Sequence, residues 1–486
     1  MVLDKLKSKF ESKIEKAIGG TSIRPPPYPS LPASRREIFK YRLQVGTNIG
    51  GWFMLEKWLA PSLHSSNKSS DDSELAAVSA SVKDIGLDRT RAKWDHHYDS
   101  FLNDEDWTWL AKAHVNAIRV PLGYYVLGAA FVRGTPFVEV AGVYENAWAK
   151  YKGMLELART HNIGVLVDLH AVPGGANADS HSGVSGGGKF FSSSLHVSLA
   201  LECIEYIARE VKDYDNVIGI QVVNEASYGA AAEKYYVHAA QKIREIDPTQ
   251  IIVISDGWDR GKYAEFVKDK PGMLVDTHVY KCFSEADKCN APNQLVAAAA
   301  MEWLDTTMIV GEFSCTLDTQ TWNRVSKSDR AKFRAEYGRV QFNRFAQNSA
   351  GFYFWTFKFE QGSGGEWDYR EMVNSGCIPI YERTKHKVTS NGEQESRLAV
   401  QAHAAYWDSQ VKGEKMEHSR YQDGFLTGWR DAAQFWAEDE SRIGQRTSWK
   451  NARVQQHVQK NGNSKYLWEF EQGFDTGTQA LLQSVL

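Results

Sequence analysis

Eight short apolar runs punctuate the middle of this chain: LQVGTNIGG (43–51), AIRVPLG (117–123), IGVLVDLHA (163–171), VIGIQVVNEA (217–226), IIVISDG (251–257), GMLVDTHVY (272–280), MIVGEFS (308–314) and GFYFWTFKFE (351–360). They are rich in β-branched residues and alternate little with polar ones, the pattern of strands buried on both faces in a parallel sheet. Between them lie longer amphipathic segments such as NAWAKYKGMLELARTHN (146–162) and SLALECIEYIAREVKDYDN (198–216), with apolar positions at helical spacing. Eight strand-plus-crossover units predict an α/β chain folded as a (β/α)8 barrel. A doubly wound open sheet would need only six or seven strands, and no Gly-rich phosphate fingerprint follows any run.

The flanks follow other patterns. Leu6, Phe10, Ile14 and Ile18 recur every four residues and predict an N-terminal helix with one apolar stripe that docks on the body of the protein. RPPPYPSLP (24–32) reads as a stiff, extended linker. From about Glu395 the chain turns helical and aromatic, as in SRLAVQAHAAYWDSQVKG and FLTGWRDAAQFWAEDESRIGQRTSW. A separate carbohydrate-binding module would be β-rich, so these helices are expected to pack on the barrel. The division is 1–40 helix and linker, 41–394 barrel, and 395–486 helical extension.

Composition narrows the function. The 486 residues are 42% hydrophobic and 24% charged, which suits a packed globular core. A net charge of −3 gives no reason to expect a nucleic-acid partner. Five scattered cysteines without a CxxC pair predict neither a disulfide framework nor a cysteine zinc site. No run of 18 apolar residues exists, so no transmembrane helix is expected, and the N-terminus lacks a secretory apolar core. A cytoplasmic location is the expectation.

Active sites of such barrels gather at the C-terminal ends of the strands. The first run is followed by Glu56; the second holds Arg119; the third ends Asp168-Leu169-His170; the fourth, Asn224-Glu225; the fifth, Asp256-Gly257-Trp258; the sixth, His278-Val279-Tyr280; the seventh, Gly311-Glu312-Phe313; the eighth carries Trp355. Core packing does not account for so many polar or aromatic groups in register. Glu225 and Glu312 would face each other across the mouth. Glycosidic cleavage needs such a pair: a protonated acid for the leaving oxygen and a carboxylate for the anomeric carbon. A gap of about 5 Å would make the second a nucleophile and retain configuration. Tyr280 and Arg119 are placed to keep Glu312 ionised, and low solvation with repulsion from Glu312 should keep Glu225 protonated. Asn224 would hold the sugar 2-hydroxyl.

The chain resembles glycoside hydrolase family 5, and within it the fungal exo-β-1,3-glucanase group. The motifs are GTNIGGWFMLEKWL (46–59), NAIRVPLGYY (116–125), DLHAVPGGANADSHSG (168–183), VVNEA (222–226), GEFS (311–314) and FYFWTFKFEQGSGGEWDY (352–369). The resemblance implies a site built from Arg119, His170, Asn224, Glu225, His278, Tyr280, Glu312 and Trp355. It implies Glu225 as acid/base and Glu312 as nucleophile, with no cofactor or metal. Secreted members carry a leader and disulfides, so the chain resembles the group's intracellular branch. NEASYG also departs from the more usual NEP. The expected substrate is a small-molecule or oligosaccharide β-glucoside carrying a terminal β-D-glucosyl residue. The alternatives are β-glycosides of sterols, lipids or flavonoids, diglycosides included, or a catalytically silent sugar-binding relative.

Competing readings stay beside these. His170 and His278 are not spaced as zinc ligands. The loop HAVPGGANADSHSGVSGGG (170–188) has no phosphate-cradling spacing and reads as the rim of a sugar pocket. Phe190 and Phe191 either stack on a second sugar or anchor that loop. Trp355 reads as a sugar platform, with core packing as the alternative, and Trp52 and Trp58 as packing residues. Glu56 either binds terminal glucose hydroxyls or forms a structural salt bridge. Cys315 is expected to be buried and inert.

Overall fold

The computed structural model describes residues 22–381, 386–411 and 413–486. The expected helix over Leu6–Ile18 lies outside the described residues. Eight parallel strands close in sequence order: β1 Gln44–Asn48, β2 Ala117–Gly123, β3 Gly164–Ala171, β4 Val217–Gln221, β5 Ile252–Ser255, β6 Met273–Lys281, β7 Met308–Leu317 and β8 Gly351–Phe354. Each lies inside or nearly coincides with one of the eight apolar runs. Nearly every strand residue is buried, because side chains on one face fill the barrel and those on the other meet the helices. The fold is a (β/α)8 barrel. β4 and β8 stop earlier than their apolar runs, so Asn224, Glu225 and Trp355 sit on the turns just beyond the strands.

The bottom of the barrel is sealed by sequence-local means. Ser34 caps the short helix Arg35–Tyr41 and forms a reciprocal capping box with Glu37. Ile38 and Phe39 of that helix share one buried cluster with Leu166, Ile218, Val253, Leu274, Ile309 and Tyr353 of the strands and with Phe435 and Trp449 of the C-terminal helices. The Pro-rich stretch is extended, as read, but docked: the Pro29 carbonyl accepts from Arg453 at 3.1 Å and from Gln456 at 2.8 Å. A boundary at residue 40 falls inside the helix, and 22–41 is better described as the barrel's floor.

Among the described residues, the short helix Tyr369–Asn374 follows β8, and four longer ones follow it: Glu393–Gln410, His418–Ala437, Arg446–Asn461 and Leu467–Val485. Of these four, the second and fourth cross at glycines spaced four apart on each, Gly424 and Gly428 against Gly473 and Gly477. A Cβ on any of them would lie 2.1–2.2 Å from a carbonyl oxygen of the facing helix. Among the described residues no helix is long and apolar enough to cross a membrane.

Gly477→Val must force these two backbones apart. The expected result is a loss of about 1–3 kcal/mol in urea unfolding with an unchanged native circular dichroism spectrum.

Candidate active site

Alternation along a strand puts residues i, i+2 and i+4 on one face. Thus Asp276, His278 and Tyr280 of β6 turn together toward the mouth, as do Asp168 and His170 of β3. At the centre lies Arg119 of β2, wholly buried. Its Nη1 donates to Glu312 Oε1 and to Asn48 Oδ1, both at 2.9 Å. Nη2 donates to Asn224 Oδ1 at 2.7 Å and lies 3.0 Å from Asp168 and 3.5 Å from Asp276; Nε donates to Gln221 Oε1 at 2.9 Å. Residues from β1, β3, β6 and β7 and from the β4 segment all converge on one guanidinium. Its fork of five donors suits that many oxygen partners.

The hydrogen bonds fix two further orientations. Because Asn224 Oδ1 accepts from Arg119, the Asn224 amide faces His170 Nε2 at 3.1 Å. His170 Nε2 is therefore the acceptor, and its Nδ1 donates to Asp168 at 2.7 Å. Glu312 Oε2 accepts the Tyr280 hydroxyl at 2.8 Å. Burial, then the charge of Glu312, pushes that phenol well above its ordinary range, so it stays a donor.

Glu225 lies on the turn after β4 with φ of +43°, a left-handed conformation that a glutamate rarely adopts. Such backbone strain gathers at functional sites. Its Oε1 is 2.8 Å from His278 Nδ1, its Oε2 3.3 Å from His181 Nε2, and the other His278 nitrogen lies 3.2 Å from Asp276. One oxygen of Glu225, one of Glu312 and one His278 nitrogen all lie within 4.8 Å of one another. These three atoms are close enough to converge on a cation, but Arg119 already brings a fixed positive charge to Glu312.

The electrostatics differ from the sequence expectation for Glu225. Burial alone would raise its carboxyl. The hydrogen bond and charge of His278, with the charge of His181, outweigh that and hold it well below the usual carboxylate range. Burial likewise opposes charge on His278, but Glu312 and Asp276 raise it well above its ordinary value. His181 is raised too, against burial, by Glu225, Glu56 and Glu312. Both directions favour the proton on the imidazole side of the Glu225–His278 pair. Repulsion from Glu312 is therefore outweighed by the nearer histidines, which only the fold brings to Glu225.

The remaining candidates line the rim. Glu56 has no ion pair within 4 Å among the described residues; its Oε2 accepts the Trp58 indole N–H at 2.8 Å, and burial raises its carboxyl. The salt-bridge alternative has no partner here. Trp58 is exposed rather than packed inside and stands edge-on to Phe359 and Trp367, whereas Trp52 is buried. Trp355 is almost buried beside His170, ring centroids 6.2 Å apart, and the Trp355–Thr356 peptide is cis. Phe190 is wholly buried 5.0 Å from Tyr235, which makes it a loop anchor. Cys315 is buried and burial drives its thiol up.

Sequence reasoning names neither the Arg119 partners Asn48 and Gln221 nor two members nearer the glutamates, His181 and Asp276. His181 arrives on the long loop after β3, whose spacing carries no strand-end signal. Asp276 did carry one: a carboxylate inside an apolar strand, two residues before His278 and so on the same face.

Two family models match the chain: "Cellulase (glycosyl hydrolase family 5)" over residues 78–361 and "Glucan 1,3-beta-glucosidase 3 C-terminal domain" over residues 388–485. The chain is 34% identical to an uncharacterized glycosyl hydrolase of Saccharomyces cerevisiae, covering 98% of this chain and 99% of that one. It is 33% identical to glucan 1,3-beta-glucosidase 3 of Schizosaccharomyces pombe, covering 91% and 96%. A rutinosidase structure from Aspergillus niger shares the fold, with a TM-score of 0.56 at 18% identity over 70% of this chain and 99% of that one.

Arg119→Met would leave Asp168, Asp276 and Glu312 as buried acids without their shared cation. Breaking a buried pair by removing one partner costs about 3–5 kcal/mol. A loss of that size in denaturant unfolding is expected; a change under about 1 kcal/mol would contradict the central place given to this side chain.

Proposed function

The chain belongs to glycosyl hydrolase family 5 and is a glycosidase acting on O-glycosyl bonds, and from that premise we propose that it releases terminal β-D-glucosyl residues with retention of configuration. The observation that carries this reading is the carboxylate separation. An oxygen of Glu225 lies within 4.8 Å of one of Glu312. That favours direct attack, since inverting pairs stand about 6.5–9.5 Å apart to admit a water.

In this reading Glu312, oriented by Arg119 and Tyr280, attacks the anomeric carbon and becomes a neutral ester. The proton held by His278 passes to Glu225 along their 2.8 Å hydrogen bond and on to the leaving oxygen. Glu312 is the leading charge that holds the proton on His278, so losing it to ester formation loosens that proton as the leaving group needs it. Glu225, again anionic, then takes a proton from water, which opens the ester. Asn224, fixed by Arg119 and His170, receives the 2-hydroxyl, Trp355 lies under the sugar, and Glu56 binds hydroxyls at the closed end.

Aglycone preference follows from the rim. Phe283 and Trp258 expose about two-thirds of their surface and Trp58 nearly half; Phe283 lies 5.5 Å from Tyr280 and 6.2 Å from Trp367. Flat apolar faces beside the cleavage point favour a glucoside with an apolar aglycone, such as a steryl, lipid or flavonoid glycoside, over a long glucan. We also propose a cytoplasmic location, where wall polymer is scarce, which would fit that choice.

Hydrolysis of an aryl β-glucoside should vanish in Glu312→Ala and fall about 100- to 10,000-fold in Glu225→Ala. Azide should rescue the latter and give the β-glycosyl azide. An α product would overturn retention, and equal background rates in wild type and both variants would favour the silent sugar-binding relative.

A second test concerns the shared proton. In wild type the alkaline limb of kcat/KM reports the loss of the proton from the Glu225–His278 pair, so it lies well above pH 6.5. In His278→Gln only Glu225 can hold that proton, and the limb should move toward acid by about a unit or more. An unmoved limb would remove His278 from the proton path.

A further inference from the structure

Far along the chain from the barrel site, two histidines and a glutamate converge among the C-terminal helices. His403 lies on helix Glu393–Gln410, His418 opens helix His418–Ala437, and Glu469 sits in the first turn of helix Leu467–Val485. His403 Nε2 and His418 Nδ1 both approach the same oxygen, Glu469 Oε2, at 3.0 and 2.9 Å. The three ligand atoms lie within 4.8 Å of one another.

This cluster has no permanent cation among the described residues. Glu469 is wholly buried, and a buried carboxylate needs a cation. Among the described residues no lysine or arginine comes within 4 Å of it; its ion partners are the two histidines. The surroundings hold the ligands as outer-shell groups hold metal ligands. His418 Nε2 lies 3.1 Å from Asp408 Oδ1, so the ring can donate there and leave Nδ1 bare toward the cluster. Glu469 Oε1 accepts the Glu417 backbone N–H at 2.9 Å, which leaves Oε2 facing the histidines. Tyr421 stacks on His403 with ring centroids 3.9 Å apart. His418 alone of the three keeps partial exposure, an entry path for an ion and a water.

We propose that His403, His418 and Glu469 form a zinc site that clips three C-terminal helices together, with water in the fourth position. Two imidazoles and one carboxylate suit zinc, a borderline ion, better than calcium or magnesium, which take oxygen ligands. Tetrahedral zinc spaces such ligand atoms about 3.3 Å apart, so each histidine–glutamate edge needs to open by only a few tenths of an ångström, and the histidine–histidine edge lies within 4.8 Å. The ligands come from three separate helices, so their sequence spacing carries no signal. The absence of metal expected from cysteine spacing and from the histidines of the mouth did not weigh these residues.

The test uses the full chain without a histidine tag. Elemental analysis after dialysis against zinc chloride and then zinc-free buffer should find about one zinc per chain. Zinc should raise the melting temperature of the chelator-treated protein, and cobalt should give the intense visible bands of a tetrahedral site. All three signals should be lost in Glu469→Gln and in His418→Ala. The His418 ring is partly exposed, so that variant should stay folded, as circular dichroism checks. Aryl β-glucoside hydrolysis by His418→Ala reports the barrel site separately. Absence of zinc from folded wild-type protein overturns the proposal, as does zinc that survives both substitutions. A melting temperature that responds to pH and not to zinc also overturns it and assigns the cluster to a shared proton.

Discussion

One buried guanidinium sets the geometry on which the active site depends. Arg119 reaches Asn48, Gln221, Asn224, Asp168, Asp276 and Glu312 at 2.7–3.5 Å, inside a barrel whose strands are mostly apolar. A charge in such a place is tolerated only when paired and fully hydrogen-bonded. Because the donors of arginine lie in a fixed plane, satisfying them fixes the positions of the groups that satisfy them. The strand tips are thereby held in register at the mouth, where flexible turns alone would leave them loose.

The two glutamates are made unlike by their neighbours. Glu312 is hydrogen-bonded to a permanent cation and a phenol, neither of which gives up its proton near neutral pH, and meets His278 only at 3.4 Å. Glu225 faces imidazoles, which can. The strained backbone at Glu225 and the Asp276 contact on the far side of His278 serve the same asymmetry, since Asp276 both orients the ring and helps to keep it charged. In the proposed mechanism this separates a fixed charge from a mobile proton, the division that acid/base and nucleophilic roles require.

The barrel was legible because strands buried on both faces leave continuous apolar runs, and all eight runs correspond to strands. The tips were legible because polar groups interrupt those runs at one end: Arg119, His170, Asn224, Glu225, His278, Tyr280 and Glu312 all meet at the mouth. Proton placement was not legible. It depends on His181, brought in by a loop, and on which nitrogen of His278 meets which carboxylate, and neither has a period in sequence. The close crossing at Gly424, Gly428, Gly473 and Gly477 was hidden for another reason. Glycine in a helix reads as weakness until the facing backbone supplies the cause.

The N-terminal segment and the C-terminal helices act at the opposite end of the barrel from the chemistry. Trp449 packs 5.0 Å from Tyr41, the Gly444 N–H donates to the Tyr41 carbonyl, and Arg453 reaches back to the Pro29 carbonyl. The same buried cluster continues into the barrel floor through Phe39, Leu166 and Ile309. Undocking the C-terminal helices would expose that floor to water, so their packing energy is part of the barrel's own stability. Conserving the mouth for catalysis and the floor for stability is the usual division in this architecture. Here the floor is built from segments outside the eight repeats, so these helices close that end of the barrel and leave the mouth open.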